Sequence, residues 1–128
     1  MTTELHIGLK VKDFVLSPYK RSYADKRDLA KVYYSLLSAF NNLRLTNGEM
    51  NLLSHISVYG GIASETSKRD YLTRYKTSMP TVDNTIGKLK RKKLLVKIDG
   101  KVRINPKAGV PDFINNDKFI FQFKCLMT

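Results

Sequence analysis

The sequence predicts an α+β fold in which three to four helices lead into a β-hairpin, with an extra strand at each end. Three observations predict it. Apolar residues recur at steps of three and four over roughly 25–43, the period of an amphipathic helix. Two shorter helical stretches, from Ser67 and from Ser78, lie a few residues apart as a helix-turn-helix, and the second runs into Asp99-Gly100, a strong hairpin signal. Residues 5–11 and 119–125 alternate with the period of two that marks a strand. A chain of 128 residues is one domain's worth, expected to span 1–128. Within it, 1–23 reads as a strand and basic loop, 24–106 as the helical core and hairpin, and 107–128 as a loop and last strand.

In the first strand Leu5, Ile7, Leu9 and Val11 face one way, Phe14-Val15-Leu16 extends the apolar run, and Ser17–Tyr23 reads as a basic loop. The long helix carries Leu29, Val32, Tyr33, Leu36, Leu37, Phe40 and Leu43, a stripe wide enough to face a core. Thr46-Asn47-Gly48-Glu49 is a capping box, starting a helix with Met50, Leu53 and Ile56 that ends at Tyr59-Gly60-Gly61. After a polar connection at 62–66, Ser67 is expected to cap a short helix with Asp70 at N3 and Tyr71, Leu72 and Tyr75 as its apolar residues. Lys76-Thr77 turns the chain. Ser78 or Met79 caps the next helix, where Pro80 fits because its missing amide would be unpaired there. Val82, Ile86 and Leu89 form the inward stripe of that helix. In the hairpin the apolar pattern favours a three-residue loop, Asp99 to Lys101, which pairs Ile98 with Val102 and Val96 with Ile104. Residues 106–117 read as a loop. The last strand, with Phe119, Phe121, Phe123 and Cys125, needs a cover, either the first strand or a second subunit.

With 42% hydrophobic residues the chain can build a core without staples, and one cysteine excludes an internal disulfide. Two histidines and that cysteine cannot make a usual structural zinc site. No apolar run approaches the ~18 residues of a membrane span, and Met1-Thr2-Thr3-Glu4 lacks the basic-then-apolar order of a secretion signal. The expected setting is cytoplasmic or nucleoid-associated, with no metal, cofactor or membrane. Nothing points to catalysis: there is no phosphate loop ending in Lys-Ser or Lys-Thr and no His-Glu-x-x-His. His6 reads as a surface residue, His55 as a satisfied core histidine, and Cys125 as a packed thiol.

The charge is informative. The chain carries a net +12, and residues 84–110 hold nine Lys or Arg against one acid, Asp99. A basic helix end followed by a basic hairpin is the footprint of a polyanion partner, with nucleic acid the leading candidate. On the helix from Pro80, the face opposite Val82, Ile86 and Leu89 presents Thr81, Asn84, Thr85 and Lys88. Asn can pair bidentately with adenine, Lys can donate to guanine, and Thr can touch a thymine methyl or a phosphate, so these four are candidate base contacts. Lys68, Arg69, Lys90, Arg91, Lys92, Lys97, Lys101 and Arg103 are candidate contacts to the DNA backbone, with Arg74, Lys76 and Lys93 nearby.

The stretch from Met50 to Pro106 resembles the winged helix-turn-helix superfamily, in particular MarR-type regulators and RepL-type plasmid or phage replication initiators. The residues that carry the resemblance are Thr81-Val82-Asp83-Asn84-Thr85-Ile86-Gly87-Lys88-Leu89, Lys92-Lys93-Leu94-Leu95-Val96, and Asp99-Gly100-Lys101-Val102-Arg103-Ile104-Asn105-Pro106. The Arg-Ile-Asn-Pro ending points to the initiator branch. The resemblance implies a duplex DNA binder, a regulator or an initiator, with helix 80–92 in the major groove and the 94–105 wing on the backbone. Lys93 stands where such families usually carry Gly, and Gly87 sits inside the helix, where it costs roughly 1 kcal/mol relative to Ala. Helix 25–43 and the terminal strands are the expected homodimer surface. Two other readings stand beside this one: a structural or adaptor protein, such as a phage virion or connector component, that uses the same fold on protein partners, and an RNA binder.

Overall fold

A computed structural model of the chain describes residues 2–6, 10–11, 14–15, 25–60, 65–116, 118–119 and 122–126, and for 2–15, 65–66 and 122–126 the backbone alone. The fold is α+β. Four helices, α1 (Lys26–Asn41), α2 (Asn47–Tyr59), α3 (Glu65–Tyr75) and α4 (Met79–Arg91), follow three short strands, β1 (Thr2–His6), β2 (Lys10–Val11) and β3 (Phe14–Val15). A hairpin of β4 (Leu95–Ile98) and β5 (Lys101–Ile104) comes next, then a 3-10 turn (Pro106–Ala108) and β6 (Gln122–Leu126). The described strands form three antiparallel pairs: β1 with β6, β2 with β3, and β4 with β5.

The terminal strands pair as the sequence allows, with Thr2 opposite Leu126 and His6 opposite Gln122. Of the single strand expected over 5–11, Leu5 and His6 belong to β1, Lys10-Val11 pairs with Phe14-Val15 and not with β6, and 7–9 lie outside the described residues. The expected basic loop at 17–23 and the side chains of His6 and Cys125 lie outside the described residues.

α2 is the central element. It packs on α1, α3, α4 and β5, and Leu52, Leu53 and Ile56 are fully buried along it. The capping box forms in both directions: the Glu49 amide donates to Thr46 Oγ1 at 3.1 Å, and the Thr46 amide donates to Glu49 Oε1 at 3.0 Å. α1 turns Ala30, Tyr33 and Tyr34 inward, and the Tyr34 hydroxyl meets Ser57 Oγ. Phe40, expected on the core stripe, is 51% exposed. The segment expected to be loop over 106–117 carries a core residue: Phe113 is fully buried, edge-on to Tyr33 and Phe119.

The helix ends share one device. The chain reaches the left-handed region at Asn42 (φ 52°), Lys76 (φ 49°) and Lys93 (φ 63°), one residue before Leu43, Thr77 and Leu94. Those three amides donate back to Ser38, Leu72 and Leu89 carbonyls at 3.0–3.2 Å, the six-to-one bond of a Schellman motif. After α4 the motif is complete: Lys93 also donates to the Lys90 carbonyl, and Leu94 is buried with Leu89. Lys93 therefore holds a conformation that a β-carbon penalises. Lys93→Gly should stabilise the chain by about 1 kcal/mol, read as a rise of roughly 3 °C in Tm. A fall in Tm would contradict this assignment.

Two expectations need correction. Ser67 does not cap α3, because the helix begins at Glu65 and Ser67 lies inside it. Nor does the hairpin take a three-residue loop. Ile98 pairs with Lys101, Val96 with Arg103, Lys97 with Val102 and Leu95 with Ile104. Asp99 (φ 51°) and Gly100 (φ 77°) both have positive φ, as a two-residue type I′ turn requires. The apolar pattern misleads because it puts Val96 and Ile98 on the inward face. The residues packed inward are Leu95, Val102 and Ile104, and Ile98 is exposed.

Candidate nucleic-acid interface

α4 divides cleanly. Val82 and Leu89 are buried and Ile86 packs beside them. Thr81, Asn84, Lys88 and Arg91, at helical spacing, are all exposed, and Thr85 is half-buried at their side. The Thr81 hydroxyl meets that of Ser78 at 3.0 Å, and Thr85 Oγ1 donates to the Thr81 carbonyl at 2.9 Å, leaving lone pairs on each. Gly87 lies amid this stripe, and a β-carbon there would stand 3.7 Å from the Arg91 guanidinium.

Two bonds fix the hairpin to the end of α4. The Asn105 amide donates to the Leu94 carbonyl at 2.9 Å, and Asn105 Nδ2 donates to the Lys93 carbonyl at 2.9 Å. Asn105 Oδ1 accepts from the Lys107 amide at 3.0 Å, so both polar atoms of the side chain are engaged. The sequence marked Asn105 only as the place where the hairpin stops. Its positioning role has no sequence signal beyond Asn before Pro.

The predicted cations separate into two groups. Lys90, Arg91, Lys93, Lys97 and Lys101 join Lys88 in being exposed, and none makes an ion pair among the described residues. On α3, Arg69 is exposed and Lys68 half-buried. Lys92 is drawn inward: its Nζ stands 2.9 Å from Oε2 of Glu49, a side chain only 2% exposed, and ties the end of α4 to the start of α2. Burial raises the Glu49 carboxyl, but the Thr46 amide and Lys92 outweigh it and hold the group below its ordinary range. Arg74 is committed to Asp25 and Asp28 at 3.1 Å each. Arg103 is half-buried, and its Nε is shut off from solvent.

A cleft of ≈ 240 Å³ runs beside the α4 face, lined by Asn47, Gly48 and Asn51 of α2, Tyr71 and Tyr75 of α3, and Thr81 and Thr85. Asn51 Oδ1 is buried and has no hydrogen-bond partner among the described residues. The sequence marks the start of α2 only as a cap, which gives Asn47 and Asn51 no signal as site residues.

One histidine–serine pair resembles catalytic machinery and is not built for it. His55 is 1% exposed, with Nε2 at 3.1 Å from Ser67 Oγ and Nδ1 at 3.4 Å from an Arg27 nitrogen. Arg27 can only donate, so Nδ1 is the acceptor and the proton sits on Nε2. That tautomer gives a hydrogen to Ser67 and cannot take one. Burial and then the Arg27 charge push the imidazole down to about 4 from 6.5. The unfolded chain therefore binds a proton between pH 6.5 and 4 that the folded chain refuses, so stability falls as pH falls through that window. Between pH 7 and 4.5 the loss should be about 2–3 kcal/mol in a urea titration, and His55→Gln should remove most of it. An unchanged pH dependence in His55→Gln would contradict the buried neutral state.

Among the described residues no group of three or more His, Cys, Asp or Glu comes together to hold a metal, and no helix is long and apolar enough to cross a membrane. No family model matches the chain, nor does any curated protein or any solved structure.

Proposed function

We propose that the chain is a non-enzymatic, duplex DNA-binding protein of the winged-helix type, acting as a transcriptional regulator or replication initiator. α4 enters the major groove and the β4–β5 hairpin lies on the adjacent backbone or minor groove. One observation carries the reading. Arg27, Arg74 and Lys92 are matched by carboxylates, whereas Lys88, Lys90, Arg91, Lys93, Lys97 and Lys101 are exposed and unmatched among the described residues. Unmatched like charges carried on one helix end and the hairpin that follows it repel one another, and a polyphosphate relieves that repulsion. Asn84 and Lys88 read base edges, Thr81 and Thr85 contact a thymine methyl or phosphate, and the other exposed cations hold phosphates. A homodimer through α1 and the terminal strands would match a two-fold symmetric site.

The test is fluorescence anisotropy with a random duplex at about 50 and 200 mM salt, followed by a duplex selected from a random pool. Binding at low salt that weakens steeply with added salt supports the reading, and no binding at low salt contradicts it. Asn84→Ala and Lys88→Ala should each cost about 1–3 kcal/mol on the selected duplex and much less on random duplex. Equal losses on both would refute base reading by these residues. Double-stranded RNA competing as well as duplex DNA would favour the RNA reading.

A further inference from the structure

Arg103 differs from the other hairpin cations. It is half-buried on β5, its Nε is shut off from solvent without an acceptor, and it makes no ion pair among the described residues. The closed Nε is out of reach of an outside acceptor, whereas the two Nη nitrogens are open to solvent and unbonded among the described residues, so they are the donors a carboxylate can take. The neighbouring polar groups are already engaged. Ser57 meets Tyr34, and Asn105 is bonded to Lys93 and Lys107. The carboxylate of Asp112 caps its own turn, accepting from the amides of Ile114 and Asn115 and from Asn115 Nδ2 at 2.6–3.2 Å.

Arg103 lines a cleft of ≈ 250 Å³ between the end of α2, β5 and the 105–114 segment, with apolar walls that include Ile56, Ile104, Pro106 and Val110. The apolar surface continues outward to Ile114, 51% exposed, and to Tyr59, 53% exposed, on either side of Gly60. Lys26 stands at the rim, its Nζ donating to the Ile114 carbonyl at 3.1 Å.

We propose that this cleft docks an acidic, apolar segment of a partner protein. A carboxylate of the segment is taken by the Arg103 guanidinium, and a flanking apolar side chain covers Tyr59 and Ile114. Arg103 and the rim Lys26 together outweigh Asp112, the acid in the lining, so charge complementarity selects an acid. The exposed pair beyond the cleft extends the apolar surface past what a small carboxylate would cover, and so selects a peptide. The site shares no residue with the exposed stripe of α4 and stands or falls apart from duplex reading.

The test is an NMR titration of the full chain with the peptide acetyl-Leu-Glu-Leu-amide, its Gln counterpart, and sodium propionate. The Glu peptide should move and saturate the Arg103 Nε–H and Ile114 δ1-methyl resonances, and the Gln peptide should bind about tenfold more weakly or worse. Arg103→Gln should abolish the response. Ile114→Ser should weaken it several-fold with Tm unchanged, and Asn84→Ala with Lys88→Ala should leave it intact. An unmoved Arg103 Nε–H, or equal binding of the Glu and Gln peptides, overturns the proposal. Propionate binding as tightly as the Glu peptide also overturns it, since the site would then serve a small acid. Should Arg103→Gln fail to fold, Ile114→Ser and the peptide comparison decide the matter.

Discussion

A chain carrying Gln in place of Lys90, Arg91, Lys97 and Lys101 together is expected to lose roughly a thousandfold in duplex affinity at about 0.1 M salt. Each phosphate contact contributes about 0.9 to the slope of log affinity against log salt, so removing four flattens it by roughly 3.6. Fold stability should hold, because all four side chains are exposed and make no ion pair among the described residues. Relieving the local repulsion should, if anything, raise Tm slightly. Anisotropy titrations over a salt series, with circular dichroism as the folding control, check both halves. An unchanged salt slope would remove these residues from the interface.

Arg27→Met is expected to destabilise the fold by about 3 kcal/mol, the largest effect of any single change proposed for this chain. The Arg27 side chain is 7% exposed and joins three elements. It grips Asp25 at the start of α1 at 2.7 Å, reaches Asp70 on α3 at 2.9 Å, and lies over the Tyr59 ring of α2 at 5.2 Å. The side-chain bond from Arg27 does most to hold the Asp25 carboxyl down at about 2, against an ordinary 3.8. That part of the stability is present above pH 3.8 and is lost as pH falls toward 2. Removing the guanidinium strands a carboxylate that Arg74 alone must neutralise and deprives His55 of the charge that helps keep it unprotonated. Arg27→Lys should rescue little, since an ammonium cannot make the fork that spans Asp25 and Asp70. Urea midpoints at pH 7 give the magnitude, and a loss under about 1 kcal/mol would show that the hub is not holding the helices together.

Local rules were legible where the signal is confined to a few neighbouring residues. The Thr46–Glu49 box, Gly60 at the end of α2 and Pro80 in the first turn of α4 all follow from backbone groups that need partners within one turn. The exposed α4 stripe was legible for the same reason, because a period of 3.6 fixes which side chains share a face. What the sequence does not show depends on residues far apart in the chain. The burial of Phe113 arises only when the last loop folds over Tyr33. Lys92 leaves the basic face because Glu49, in another helix, is buried beside it. The hairpin register turns on which side of β4 meets the core, and Leu95 decides that by pairing with Ile104 at the base of the hairpin. Lys93 and Lys76 occupy positions where glycine is the usual marker, so α3 and α4 end without that glycine signal.

The most direct measurement is a backbone-amide NMR titration of the full chain with a short random duplex at low salt. The account predicts shifts concentrated on Thr81–Arg91 of α4 and on Lys97–Lys101 across the hairpin tip, with α1 and the Phe113 segment unmoved. Shifts that avoid both stretches, or no shifts at all, would contradict it.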